Sequence, residues 1–318
     1  MRGVAETVLV TGAAGFIGSH LVDRLLAEGK RVVGVDDLST GRIANLSEAR
    51  QYGQAFTFYN LDIRSDGLAT LFERHGAQLV MHLGAQPGVR PSLLDPKRDA
   101  SVNVMGLLNV LETSARAGVR KVVFASSGGT IYGDPRKFPV KETSAAGAIP
   151  HSPYGVSKKA AFDYLRYYHR YRKLDFTALA LGNVYGPRQD PNGEAGVIAI
   201  FIGKMLAGEA PAIYGDGNQT RDYVFVDDTV HAFALAGGTA GSGKLLNIGT
   251  ALETSVNGLF RMLADITGFR GEPGSGSLPP GEIRRIALDF SAATSELGWK
   301  PWTHLEDGLK ETVAYWRG

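Results

Sequence analysis

Thr7-Val8-Leu9-Val10-Thr11-Gly12-Ala13-Ala14-Gly15-Phe16-Ile17-Gly18 changes its hydrophobic period half-way through. Thr7–Val10 is a short continuous apolar run, which reads as a buried strand. From Phe16 onward the apolar residues Phe16, Ile17, Leu21, Val22, Leu25 and Leu26 fall at helical spacing, with Gly29 as the stop. A second apolar strand, Arg31–Val35, runs into Asp36-Asp37. This order of strand, glycine turn, helix, strand and acid suits a dinucleotide. The glycines let backbone approach a pyrophosphate, the helix N-terminus meets its charge, and an acid accepts hydrogen bonds from a ribose diol. Asp36 stands 24 positions after Gly12, close to the usual offset. The glycine spacing is G-x-x-G-x-x-G rather than G-x-G-x-x-G, so the flanking strands and the acid carry the reading. A carboxylate at Asp36 would repel a 2′-phosphate, which favours NAD over NADP.

The same rhythm continues outward. Phe56–Tyr59 precedes Asp62-Ile63, Leu79–Leu83 precedes Gly84-Ala85-Gln86, and Lys121–Ala125 precedes Ser126-Ser127, with helical stretches such as Val102–Ala115 between. Such alternation predicts an α/β fold, a doubly wound parallel sheet of Rossmann type with helices on both faces. Residues 1–180 form the expected dinucleotide domain and 181–318 a smaller α+β substrate lobe, with some chain crossing between the two. The Gly-, Pro- and Ser-rich stretch Gly271–Gly281 predicts a loop.

Composition narrows the function. In 318 residues, 44% are hydrophobic and 21% charged, ample for a globular core. The 34 basic residues against 32 acidic ones, with no basic block, make nucleic acid and anionic membrane poor partners. Absence of cysteine excludes disulfides and thiolate chemistry and permits a reducing compartment. The start of the chain does not read as a signal peptide, because Glu6 and Thr11-Gly12 interrupt it, and no apolar run reaches membrane-spanning length. The 7 histidines show no paired ligand spacing, so no metal is expected.

Ser152-Pro153-Tyr154-Gly155-Val156-Ser157-Lys158 reads as a helix start, with Ser152 as N-cap and Pro153 at the first helical position. Tyr154 and Lys158 then lie one above the other on one face. An ammonium beside a phenol favours the phenolate, so the pair is a candidate general base whose pKa is drawn down toward working pH.

At this point the sequence resembles the extended short-chain dehydrogenases/reductases that act on nucleotide-sugars, most closely the UDP-glucose 4-epimerases. The likeness spans TGAAGFIGSH, VDDLSTG, HLGAQ, NVMGLLNVLE, SSGGTIYG, SPYGVSKKA, GNVYGPRQDPNGEAGVIAIF, YGDGNQTRDYVFVDD and LGWKPWTHLEDGL. It implies tightly bound NAD, a UDP-sugar substrate, cytoplasmic location and a homodimer built through the helix bearing Tyr164, Tyr167, Tyr168 and Tyr171. Tyr154 would take the proton of the sugar 4-hydroxyl, and Lys158 would hold the nicotinamide ribose. Cofactor contacts would come from Gly12, Gly15, Phe16, Ile17, Gly18, Asp36, Asp37, Ser39, Thr40, Gly41, Asp62, Ile63, Leu83, Gly84, Ala85, Gln86, Asn103, Ser126, Tyr154 and Lys158. Substrate contacts would come from Ser127, Thr130, Asn183, Val197, Tyr214, Arg221 and Arg284.

Two departures from the family pattern bear on function. The Ser or Thr usually found four residues before the Tyr of xVYG is here Gly128, so Ser127 is taken as the third catalytic hydroxyl, with Thr130 the other nearby. Gly281-Glu282-Ile283-Arg284 lacks the Arg usual at position 279, where Pro279 stands, so either Arg284 substitutes or the diphosphate grip is weaker. Ile286 aligns with the family's hexose-size gate and is intermediate in bulk. Gln86–Arg90 also resembles UDP-glucuronate 4-epimerases, with Arg90 or Arg188 as partner for a carboxylate. UDP-N-acetylglucosamine epimerisation, a net oxidoreductase or dehydratase, and a non-catalytic dinucleotide sensor complete the alternatives. Dehydration lacks its Asp-Glu, since Gly129-Thr130 occupy those places.

Overall fold

The computed structural model describes residues 5–191, 196–277 and 283–318. In chain order its strands are β1 (Thr7–Thr11), β2 (Arg31–Asp36), β3 (Phe56–Asn60), β4 (Leu79–His82), β5 (Lys121–Ser127), β6 (Asp175–Leu181), β7 (Asn183–Tyr185), β8 (Ala212–Tyr214), β9 (Thr220–Arg221), β10 (Tyr223–Phe225), β11 (Lys244–Ile248), β12 (Thr254–Ser255) and β13 (Gly274–Gly276). Seven of them make one sheet in the order β11-β6-β5-β4-β1-β2-β3. Every pairing in it is parallel. Strand order reverses between β1 and β4, and a crevice for a ligand opens beyond the carboxyl ends of strands at such a point.

Alternation along the strands builds two apolar faces. Val8, Val10, Val123 and Leu179 share a core with the helices Phe16–Ala27 and Val226–Ala236. Leu9, Val122, Phe124 and Phe176 share the other with the helices Gly67–His75, Gly106–Arg116 and Pro153–Arg172. Each such side chain contributes about 1.5–3 kcal/mol on burial. Beyond residue 180 the chain returns to this framework, adding β11 to the sheet edge and the helix Val226–Ala236 to one face. The rest of that part pairs β7 with β10, β8 with β13 and β9 with β12.

The strands at 7, 31, 56, 79 and 121 lie where the apolar runs place them, with ends shifted by a residue or two. The helix read over 102–115 is observed as a wide turn, Ser101–Met105, with i to i+5 hydrogen bonding, followed by the regular helix Gly106–Arg116. The loop read over 271–281 needs correction. Gly274–Gly276 is a strand, held by parallel pairing to Ala212–Tyr214, and 278–281 lie outside the described residues.

The glycine turn after β1 is held by close backbone contacts. Gly12 has φ +69°, and a Cβ there would sit 2.8 Å from the Gly84 amide nitrogen. A Cβ on Gly18 would come within 1.9 Å of the Gly12 carbonyl oxygen, so the helix can seat against the turn only because that position has no side chain. Gly18→Ala is expected to lower unfolding stability by about 1–3 kcal/mol, read from the midpoint of a urea melt.

Candidate active site

The helix Pro153–Arg172 starts where the sequence places it. The Ser152 side chain accepts the Gly155 N–H at 3.2 Å, and Pro153 occupies the first position. Tyr154 and Lys158 therefore rise one turn apart toward the end of β5. Lys158 is 4% exposed, and its Nζ donates to the Ala125 carbonyl at 2.9 Å. That nitrogen lies 4.8 Å from the Phe124 ring centroid and 5.7 Å from that of Tyr154. Ser127, the last residue of β5, stands close enough to the Tyr154 hydroxyl to favour its phenolate.

Burial dominates the electrostatics of the pair. It pulls Lys158 down to about 8, with Asp99 opposing. It pushes Tyr154 up to about 12, with the Ser127 hydroxyl opposing and the Asp99 charge adding. The expected lowering of the phenol by the ammonium is thus not what the protein groups alone produce. Lys158 is directed at a carbonyl rather than at the hydroxyl, and desolvation of the phenolate outweighs its attraction. His82, at the end of β4, is brought down to about 3 by burial and by Lys158, so it stays neutral and adds no like charge.

The dinucleotide side assembles around Thr11, which the sequence reading did not single out. Its hydroxyl meets His82 Nδ1 at 2.7 Å and accepts the Gly84 N–H at 3.0 Å, joining the ends of β1 and β4. The helix Phe16–Ala27 has Gly15 as N-cap with no side-chain cap, leaving its first N–H groups for an anion. Asp36 is 8% exposed, with burial raising its pKa, and its oxygens accept the Ala14 N–H at 3.0 Å and the Leu38 N–H at 2.8 Å. Asp37 turns outward, accepting from the Ser39 N–H and hydroxyl. Thr40 and Gly41 follow in the same loop, where a Cβ on Gly41 would lie 2.6 Å from Asp36 Oδ1. Arg42 ties this loop to the segment after β7 through Asp190 at 2.6 Å. Asp62 pairs locally with Arg64, and Ile63 is buried against Gly106. Asn103 clamps the backbone of Gln86, accepting its N–H at 2.9 Å and donating to its carbonyl at 3.0 Å, below Leu83 and Ala85. The Ser126 hydroxyl is buried without a partner, a polar atom that a bound ligand would satisfy. A glycine cradle, an open helix terminus, an acid at the end of β2 and an orphan hydroxyl together fit a dinucleotide.

On the substrate side, Thr130 Oγ1 is likewise buried without a partner. The position of Gly128 explains its departure from the family pattern. A Cβ there would lie 2.4 Å from Leu288 Cδ1 and 3.1 Å from the Ala180 and Leu181 carbonyls. Gly129 faces the Asn183 side chain, its hypothetical Cβ 3.9 Å from Oδ1. Asn183 opens β7, which pairs with β10 directly after Arg221 and Asp222. Val197 begins the helix Val197–Leu206. Tyr214, at the end of β8, is 51% exposed, and Arg284 reaches Asp216 beside it with hydrogen bonds of 2.9 and 2.7 Å. That guanidinium holds the Asp216 carboxyl well below the usual range. The Thr220 N–H donates to the Arg284 carbonyl at 3.0 Å, drawing Tyr214, Arg221 and Arg284 into one neighbourhood. Pro279, Gly281 and Glu282 lie outside the described residues. Ile286 is 3% exposed, inside the core that holds Ile131 and Leu288, so it presents little surface as a gate. Arg188 is bound to Asp23 at 2.7 Å and is not available to a substrate carboxylate. Asp99 and Ser157, also unremarked in the sequence, are hydrogen-bonded at 2.6 Å beneath the pair.

The family model for the NAD dependent epimerase/dehydratase family matches residues 8–249. The chain belongs to that family. It is 48% identical over 309 residues to the UDP-glucose 4-epimerase of Mycolicibacterium smegmatis, covering 97% of this chain and 98% of that one. Its fold matches a UDP-glucose 4-epimerase from Thermotoga maritima crystallised with UDP-glucose, at TM-score 0.93 and 45% identity over 98% of each chain. A Thermus thermophilus UDP-glucose 4-epimerase in complex with NAD matches at TM-score 0.90 and 38% identity, over 98% of this chain and 99% of that one. The dinucleotide turn described above suits the cofactor for which the family is named.

Gly128 and Leu288 share one volume, which can be measured. Gly128→Ser is expected to destabilise by about 1–3 kcal/mol. Leu288→Ala costs about 2–5 kcal/mol by opening a cavity. The double variant should cost less than the sum, with a favourable coupling of about 0.5–3 kcal/mol in a chemical-denaturation double-mutant cycle.

Proposed function

We propose that this protein is an NAD-dependent isomerase that inverts C4 of a UDP-hexose, with UDP-glucose and UDP-galactose as the substrate pair. The observation that carries the proposal is the meeting of Ser127, Tyr154 and Lys158 at the end of β5, one strand from the end of β4 that touches the glycine turn. The dinucleotide lies on residues 1–180 and the sugar nucleotide against the lobe 181–318. NAD stays bound between turnovers, and the protein acts in the cytoplasm. Bound NAD, held by the glycine turn, Asp36 and Lys158, would supply reversible hydride acceptance from C4.

The chain's own residues handle the proton and the pose. Tyr154 takes the proton of the 4-hydroxyl as general base and, once the 4-keto sugar has turned over in the pocket, returns it as general acid to the C4 oxygen. Ser127 orients that oxygen, and Lys158, still charged at neutral pH, holds the ribose. Arg221 supplies charge to the diphosphate, and the exposed Arg284 can exchange its pairing with Asp216 to join it. UDP-glucuronate is the second reading, favoured by Arg90, which is exposed and has no hydrogen-bond or ion-pair partner among the described residues.

Tyr154→Phe removes the base and keeps the ring. It should retain NAD, seen in the absorbance of the purified protein, while kcat falls by about 10²–10⁴. Incubation of the wild type with UDP-galactose, UDP-N-acetylgalactosamine and UDP-galacturonate, followed by proton NMR of the anomeric signals, identifies the sugar. Retained turnover in the Phe variant would reject the assigned base.

The outer face of the same helix supports a homodimer. Tyr164, Tyr167 and Tyr171 recur at helical spacing and are 38%, 50% and 63% exposed, whereas Tyr168 turns inward to Glu112. Tyr167→Glu with Tyr171→Glu should shift the sedimentation coefficient from that of a dimer to that of a monomer.

A further inference from the structure

Asp99 carries no surface exposure, and none of the roles above uses it. It lies on the short helix Pro96–Ala100, directly before the wide turn Ser101–Met105. One carboxylate oxygen accepts the Ser157 hydroxyl at 2.6 Å, and the other accepts Asn103 Nδ2 at 2.8 Å. With its amide turned to satisfy its neighbours, Gln86 also points its nitrogen at Asp99 Oδ1, 3.1 Å away. The carboxylate thus joins three segments: the loop after β4, the wide turn and the catalytic helix, which it meets at the residue next to Lys158. A buried anion with polar hydrogen-bond donors and no adjacent arginine is costly, so its retention calls for a partner charge nearby.

We propose that Asp99 is a positioning residue for the Tyr154–Lys158 pair, tethering the start of the catalytic helix through Ser157 and holding a fixed negative charge behind Lys158. This rests on the reading of Tyr154 and Lys158 given above. The groups facing Asp99 are few. Tyr154 and Lys158 come from the catalytic helix, and both feel its charge. His151 lines the same cavity of about 470 Å³ with Asp99 and Ser157, and is bound to Asp134 at 3.0 Å. Lys97 and Arg98 on its own helix, and Arg90 on the preceding one, are exposed. His82, beside Lys158, is neutral.

The sign of the effect does not depend on which member of the pair keeps the last proton. Tyr154 and Lys158 titrate as a coupled unit, and losing a proton beside a fixed anion is harder for either. Neutralising Asp99 therefore lowers the pH at which the pair first deprotonates. It also weakens the ammonium, so activity at high pH falls sooner.

The test is a pH profile of NAD-loaded Asp99→Asn, read as kcat with UDP-galactose and, independently of any substrate, as phenolate absorbance referenced to Tyr154→Phe. The acid limb and the phenolate midpoint should both move down by about half to one pH unit. Ser157→Ala removes the tether and leaves the charge, so its acid limb should stay within about 0.2 of wild type. Asp99→Ser carries the same expectation as Asp99→Asn if the latter does not fold. An unmoved or raised phenolate midpoint in the uncharged variants overturns the proposal. Failure to epimerise any UDP-sugar sinks the functional reading instead, and the absorbance titration still decides the role of Asp99.

Discussion

The parallel pairing of β5 with β6, in register from Lys121 against Asp175 to Ser127 against Leu181, fixes where the Ala125 carbonyl and the Ser127 hydroxyl sit. On its other side β5 is paired only as far as Phe124, opposite His82, where β4 ends. Ala125, Ser126 and Ser127 therefore run on past the neighbouring strand. The Lys158 ammonium meets the Ala125 carbonyl in that gap, and the Ser127 hydroxyl meets Tyr154. A strand of five residues, stopping at Ala125 as the apolar run suggested, would not carry Ser127 to Tyr154. Both glycine turn and catalytic helix are thus referred to the same sheet edge.

Burial at that edge sets the acid–base character of every group on it. Lys158, Tyr154 and His82 are all shifted toward their neutral forms because desolvation disfavours charge. For His82 this is useful, since a neutral imidazole adds no second cation beside Lys158. For Tyr154 it is a cost that protein groups only partly offset through Ser127. The phenol is thus poised to respond to positive charge brought near it. The charge of Asp99 acts in the opposite sense on Lys158, raising its pKa against burial.

The sheet, the glycine turn and the Tyr154–Lys158 helix were legible in the sequence because each depends on local period and on short-range chemistry. Val8–Val10, the N-cap Ser152 and the acid Asp36 announce themselves within a few residues. What was not legible depends on distant partners. Thr11 matters because β4 ends beside it, and Asp99 matters because a helix that starts more than fifty residues later brings Ser157 to it. The pairing of Gly274–Gly276 with β8 has no signal in a Gly- and Ser-rich stretch, since strand propensity there is low and the ladder is imposed by tertiary contact. Arg188 read as a free cation until the fold set Asp23 against it.

The displaced hydroxyl shows how a packing constraint reaches the chemistry. Leu288 belongs to the buried core of one sheet face and is joined to the neighbouring strand ends through its N–H, which donates to Asp222 Oδ2 at 2.9 Å. Its side chain fills the space that any side chain at position 128 would need, and two strand carbonyls close the remaining approach. A hydroxyl at 128 would therefore displace a core residue anchored to a carboxylate that also holds Thr250 and Ala251. Placing the hydroxyl one residue earlier, at Ser127, keeps it at the end of β5 and leaves that core intact. Gly128 is in this sense the condition for Leu288, and the hydroxyl proposed to meet the substrate comes from the neighbouring position on the strand.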